Sequence, residues 1–66
     1  MSRILKLAEV QHRTSLSKTT IYRLMSENRF PKQIQLLNNR VGWLETEIED
    51  WIQQEVKRSR QPTPLI

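Results

Sequence analysis

Apolar residues recur at helical spacing in three stretches of the chain and alternate with polar ones in a fourth. Ile4, Leu7 and Ala8, with Val10 less well placed, form a partial stripe, which predicts a short first helix ending near His12 or Arg13. Thr14 and Ser15 favour a turn after it, because their hydroxyls bond the local backbone. Ile21, Leu24 and Met25 then fall at i, i+3 and i+4, one apolar face of a second helix over residues 17–27. Ser17 is its N-cap. Thr20 stands where a full capping box has Glu or Gln, so the box is half present, while Leu16 and Ile21 have the spacing of a hydrophobic staple. Asn28 can close this helix in a left-handed conformation. Pro31 forbids its continuation and pushes Phe30 toward an extended backbone.

Residues 33–36 (Gln-Ile-Gln-Leu) alternate polar and apolar, the period of a half-buried strand. Leu37, Asn38 and Asn39 supply a turn, since Asn tolerates positive φ. Residues 40–43 return as a second strand, making a β-hairpin that must lean on the helices to be stable. The last helix carries Ile48, Trp51, Ile52 and Val56 on one face. Thr46 and Glu49 have capping-box spacing, with a start one or two residues earlier also open. Glu45, Glu47, Glu49 and Asp50 crowd its start, and Lys57, Arg58 and Arg60 its end, as the helix dipole favours. The fold class expected is mainly α with a small β-hairpin. Residues 1–58 form the domain, and residues 59–66, with two prolines, read as a loose tail.

With 66 residues the chain is one domain or part of one, with a thin core. It has no cysteine and one histidine, which excludes a disulfide framework and the usual structural zinc sites. One glycine excludes a glycine-rich phosphate loop. No apolar run spans a bilayer, and the first seven residues are too short and too charged for a secretory signal, so a cytoplasmic location without membrane contact is expected. The net charge is +4, which favours a polyanionic partner. Residues 1–44 hold eight Lys/Arg against two acids, and residues 45–66 hold three against five. One part of the chain is built to meet phosphate, the other to face water or a partner.

On a helical wheel for residues 17–27, Thr19, Arg23 and Ser26 lie opposite the apolar face. Thr20 and Tyr22 flank them, Lys18 sits in the first turn, and no acid appears before Glu27. Arginine binds guanine O6 and N7 bidentately, and threonine touches the thymine methyl. The helix start offers free N–H groups to a phosphate. A solvated polar face has the same composition, so the neighbours decide. A short helix and tight turn precede, as in a helix-turn-helix. A hairpin with Lys32, Asn38, Asn39 and Arg40 follows, placed to contact DNA backbone or minor groove as a wing. The DNA-binding candidates are therefore Thr19, Thr20 and Arg23 for bases, Ser17, Lys18, Tyr22, Lys32 and Arg40 for backbone, and Asn38 and Asn39 at the wing tip.

Five blocks occur together and in order: residues 4–10 (ILKLAEV), 14–24 (TSLSKTTIYRL), 29–32 (RFPK), 40–43 (RVGW) and 47–52 (EIEDWI). They resemble the AlpA family of small phage and prophage regulators, related to excisionases and to the DNA-binding domains of MerR regulators. The resemblance spans about residues 3–57. It implies a winged helix-turn-helix with residues 17–27 as recognition helix and 32–43 as wing. It also implies transcriptional regulation of an integrase or prophage gene, or excision alongside an integrase. The family often has Gly where Ser15 stands, and a left-handed Ser would cost about 1–2 kcal/mol, so a wider turn is expected. The family's wing tip is often glycine-rich, whereas this chain has Asn38 and Asn39.

Other residues carry plainer readings. Tyr22 can meet the sugar-phosphate backbone or pack on the wing. Trp43 and Trp51 are expected in the core, since a thin domain needs large aromatic side chains. His12 is expected on the surface. No nucleophile–base pair is evident, so neither an enzyme, a small-molecule substrate nor a cofactor is expected. The alternative to a double-stranded DNA partner is a protein-interaction adaptor using the acidic last helix. A module this small buries roughly 600–1,000 Å² on DNA, so several copies side by side on repeated sites, or help from DNA bending, are expected.

Overall fold

A computed structural model describes residues 3–60. The elements run β1 (Ile4–Leu5), α1 (Leu7–Thr14), α2 (Lys18–Ser26), β2 (Ile34–Gln35), a tight turn at Leu37–Asn39, β3 (Val41–Leu44) and α3 (Glu45–Arg60). The hairpin β2–β3 is present, with Ile34 opposite Gly42 and Gln35 opposite Val41. The sheet has one strand more than expected. β1 pairs antiparallel with the other edge of β3, Ile4 opposite Leu44 and Leu5 opposite Trp43, so β3 is central. The result is the expected winged helix-turn-helix, mostly helical, with a three-stranded sheet.

β1 corrects the reading of Ile4 as part of a helical stripe. Lys6 is extended (φ −78°, ψ 161°) and α1 begins only at Leu7. Ala8 consequently faces solvent, and Val10 becomes the fully buried residue of the helix. Gly42 lets β1 lie close. A Cβ there would collide with the Ile4 side chain and stand 3.1 Å from the Leu5 carbonyl oxygen.

The core is Leu5, Val10, Ile21, Leu24, Met25, Phe30, Trp43 and Ile48, drawn from every helix, two strands and the segment before the wing. Leu7, Leu16, Tyr22, Trp51 and Ile52 pack against it in part. Val56 departs from expectation: it is 37% exposed. A 16-residue helix is about 24 Å long, and its second half runs beyond the small core.

Local chemistry sets the ends of α2. Ser17 Oγ accepts the Thr20 N–H at 3.2 Å and donates to Thr20 Oγ1 at 2.9 Å. At the far end Asn28 takes φ 59°. The Asn28 N–H donates to the Met25 carbonyl at 3.1 Å and the Arg29 N–H to the Leu24 carbonyl at 2.8 Å. That pair of bonds is a Schellman motif.

The turn between α1 and α2 is tighter than expected, because Ser15 itself takes the left-handed conformation (φ 61°, ψ 22°). Two bonds hold it there. The Ser15 N–H donates to the Gln11 carbonyl at 2.8 Å, and Thr14 Oγ1 accepts the Leu16 N–H at 3.3 Å. Ser15→Gly is accordingly expected to raise stability by about 0.5–1 kcal/mol, since it removes the Cβ penalty of a left-handed residue. Urea unfolding with unchanged m-value would record the gain; a loss would mean that greater freedom of the unfolded chain outweighs the relieved strain.

α3 starts directly at Glu45, where β3 ends, and the Glu45 N–H donates to the Arg3 carbonyl at 2.7 Å. Thr46 therefore lies inside the helix rather than at its cap, because the pairing of β1 with β3 fixes the start. At the other end Ser59 and Arg60 are helical, two residues into the stretch read as tail. Residues 61–66 of that stretch lie outside the described residues.

Candidate nucleic-acid interface

The ion pairs sort the basic residues of the first 44 positions into two groups. Arg13 is the hub of the first. Its guanidinium contacts Glu9 at 3.0 Å, Glu45 at 2.9 Å and Glu49 at 3.5 Å, tying α1 to the start of α3. The hydrogen bond to Glu9, and next that to Glu45, raise its pKa against partial desolvation, so it stays charged. Arg3 also approaches Glu9, at 4.0 Å, and Arg29 pairs with Glu27 at 3.6 Å.

Lys6, Lys18, Arg23, Lys32 and Arg40 make up the second group. All five are exposed, and among the described residues none has a carboxylate partner. Four of them are residues singled out from the sequence. Lys6 was not, because its pattern position pointed to a helix, whereas it is the extended residue between β1 and α1.

α2 presents Lys18, Thr19 and Arg23 outward, and its inner residues Ile21, Leu24 and Met25 are buried. Ser17 is exposed but engaged as cap, and Thr20 is half-buried against it. Ser26 donates to the Arg23 carbonyl at 2.7 Å, so its hydroxyl is tied to the helix. Tyr22 is half-buried and packs in part against the core.

On the wing, Asn38 and Asn39 are both exposed and left-handed, with φ 60° and 61°. Successive positive φ values suit the tight turn of a hairpin, and the Arg40 N–H closes it on the Leu37 carbonyl at 3.3 Å. Lys32 is exposed, and its ammonium donates to the Met25 carbonyl at 2.7 Å. It thus sits at the negative end of the α2 dipole, and an ammonium has further protons to offer.

The link between α2 and the wing is held by both tryptophans. The Trp51 indole N–H donates to the Arg29 carbonyl at 2.8 Å and the Trp43 indole N–H to the Pro31 carbonyl at 3.1 Å. Phe30 is buried between these anchors, edge-on to Trp51 with centroids 4.8 Å apart. Trp43 is a core residue, as expected, whereas Trp51 is half-buried against the core, and both fix the segment that aims the wing. Composition could suggest the packing, but no local signal pointed to the hydrogen bonds.

The described residues hold no cluster of three or more His, Cys, Asp or Glu able to bind a metal ion, and no helix long and apolar enough to cross a membrane. His12 is exposed.

The family described as "Prophage CP4-57 regulatory protein (AlpA)" matches residues 3–56. The chain is 36% identical over 61 residues to the "DNA-binding transcriptional activator AlpA" of Escherichia coli strain K12, covering 83% of this chain and 87% of that protein. It is 40% identical over 50 residues to the "Uncharacterized protein ORF88" of Enterobacteria phage P4. That match takes in 76% of this chain but only 57% of the phage protein. The match over 3–56 contains the helix-turn-helix, the wing and most of α3, and on that extent the chain belongs to the AlpA family of prophage regulatory proteins.

Proposed function

We propose that the protein binds double-stranded DNA sequence-specifically and regulates transcription of a prophage or integrase gene, or directs excision with an integrase. α2 enters the major groove, with Thr19, Thr20 and Arg23 at base edges. Ser17, Lys18, Tyr22, Lys32 and Arg40 hold the phosphate backbone, and Asn38 and Asn39 lie at the wing tip. The protein acts in the cytoplasm, without a cofactor, and several copies bind side by side.

The observation that carries this reading is the sorting of charge. Among the described residues of the first 44 positions, the cations without carboxylate partners lie on α2, on the wing and at the foot of α1, while Glu9, Glu45 and Glu49 are occupied by Arg13. The same observation weighs against an adaptor working through the acidic start of α3, because two of its four acids already have a partner inside the domain.

Arg23 gives the test. Arg23→Ala is expected to weaken binding to a preferred duplex by about 1–3 kcal/mol and to relax the preference at one base pair. Fluorescence anisotropy with the preferred duplex and its single-base variants measures both. Unchanged affinity and preference would remove α2 from the major groove. Equal, weak binding of the wild-type protein to every duplex, with recovery of one stoichiometric protein partner, would favour the adaptor.

A further inference from the structure

The most exposed large apolar side chain among the described residues is at the wing tip. Leu37 is 86% exposed, against 44% for Ile4 and 37% for Val56. The hairpin does not need it for packing. Its neighbour Leu36 is half-buried and lines a shallow groove with Ile4 and Val41. Leu37 is nevertheless held in place. Two left-handed asparagines follow it, its carbonyl accepts the Arg40 N–H, and the Leu36 N–H donates to the Arg40 carbonyl at 2.6 Å.

We infer that Leu37 is a wedge that enters the DNA minor groove and partly unstacks one base step, bending the duplex. This rests on the DNA-binding reading above. Proteins that work in this groove combine Asn or Arg, which reach its acceptors, with an apolar wedge such as Leu that opens a base step. Asn38, Asn39 and Arg40 follow Leu37 directly and are exposed, and Arg40 has no carboxylate partner among the described residues. A leucine surrounded by amides and an unpaired guanidinium is suited to a polyanion with an apolar interior. An apolar protein pocket would call for more exposed apolar residues at the tip. The tip is also stiff enough to do the work, since Trp43 anchors β3 in the core and bonds to the Pro31 carbonyl.

The experiment uses 30-base-pair duplexes selected from a random pool by the wild-type protein and labelled at both ends for energy transfer. The wild-type protein is expected to bend them by tens of degrees. Leu37→Ser is expected to lose most of the bend and about tenfold in affinity, the scale of leaving one leucine side chain unburied. It should keep the base preference set by α2 and melt as the wild type does, because Leu37 packs on nothing. Leu37→Met should restore most of the bend. A Leu37→Ser protein that bends DNA like the wild type overturns the wedge, as does a wild-type protein that selects a duplex and leaves it straight; in both cases the DNA-binding reading stands. If Leu37→Ser loses cooperativity between copies while the bend per copy persists, the tip meets protein and the wedge is overturned. A wild-type protein that selects no duplex at all fails the DNA-binding reading first, and the wedge with it.

Discussion

Raising salt from about 50 mM to about 200 mM is expected to weaken binding to a preferred duplex by about 250- to 1,000-fold. Only cations free to displace counterions contribute to this loss. Arg13 is held by three carboxylates, and Arg3 and Arg29 each stand beside one, so these three contribute least to counterion release. Of the first 44 residues Lys6, Lys18, Lys32 and Arg40 remain for the backbone, and Arg23 adds its charge within the groove, so displacing about five counterions gives a slope of roughly −4 to −5 in log affinity against log salt. Anisotropy titrations at four or five salt concentrations yield the slope directly. A slope steeper than about −6 would mean that Lys57 and Arg60 of α3, or further copies, also reach phosphate. A slope near zero would contradict phosphate contact altogether.

Trp43→Ala is expected to leave the protein largely unfolded at 25 °C. Trp43 is completely buried and is the largest side chain so enclosed. Its loss costs about 3–5 kcal/mol, and a single core in a domain of this size rarely supplies more than about 3–5 kcal/mol in total. The substitution also strands the Pro31 carbonyl that the indole satisfies. Far-ultraviolet circular dichroism and the dispersion of amide resonances should both collapse. A cooperative melt close to that of the wild type would mean that the sheet and helices pack without this side chain.

What the sequence made legible was chemistry between near neighbours. The Ser17 cap, the left-handed Asn28 and the asparagine turn of the wing each depend on residues within five positions, and each was expected. The apolar face of α2 was equally plain, because three residues at helical spacing leave one arrangement. β1 was missed because two residues carry no period, and its existence depends on pairing with β3 some forty positions away. The start of α3 falls at the earlier of the positions left open, at Glu45, because that long-range pairing fixes where β3 ends. Arg13 counted as one more positive charge until α1 and α3 were seen side by side. The wheel did identify the exposed face of α2. It could not tell which cations had already found partners, and that distinction is what separates Arg23 from Arg13.

The pair of indole bonds at Arg29 and Pro31 has a bearing on how the molecule opens. In many domains a hairpin of this size can detach and re-form while the remainder stays folded. Here β3 carries Trp43 into the centre, and the segment leading to the hairpin is pinned by a second ring from α3. Releasing the wing therefore exposes the middle of the molecule. Amide exchange in β3 and in the helices draws on one shared opening event, and a protease that cuts the hairpin samples the global stability of the protein rather than a local flutter.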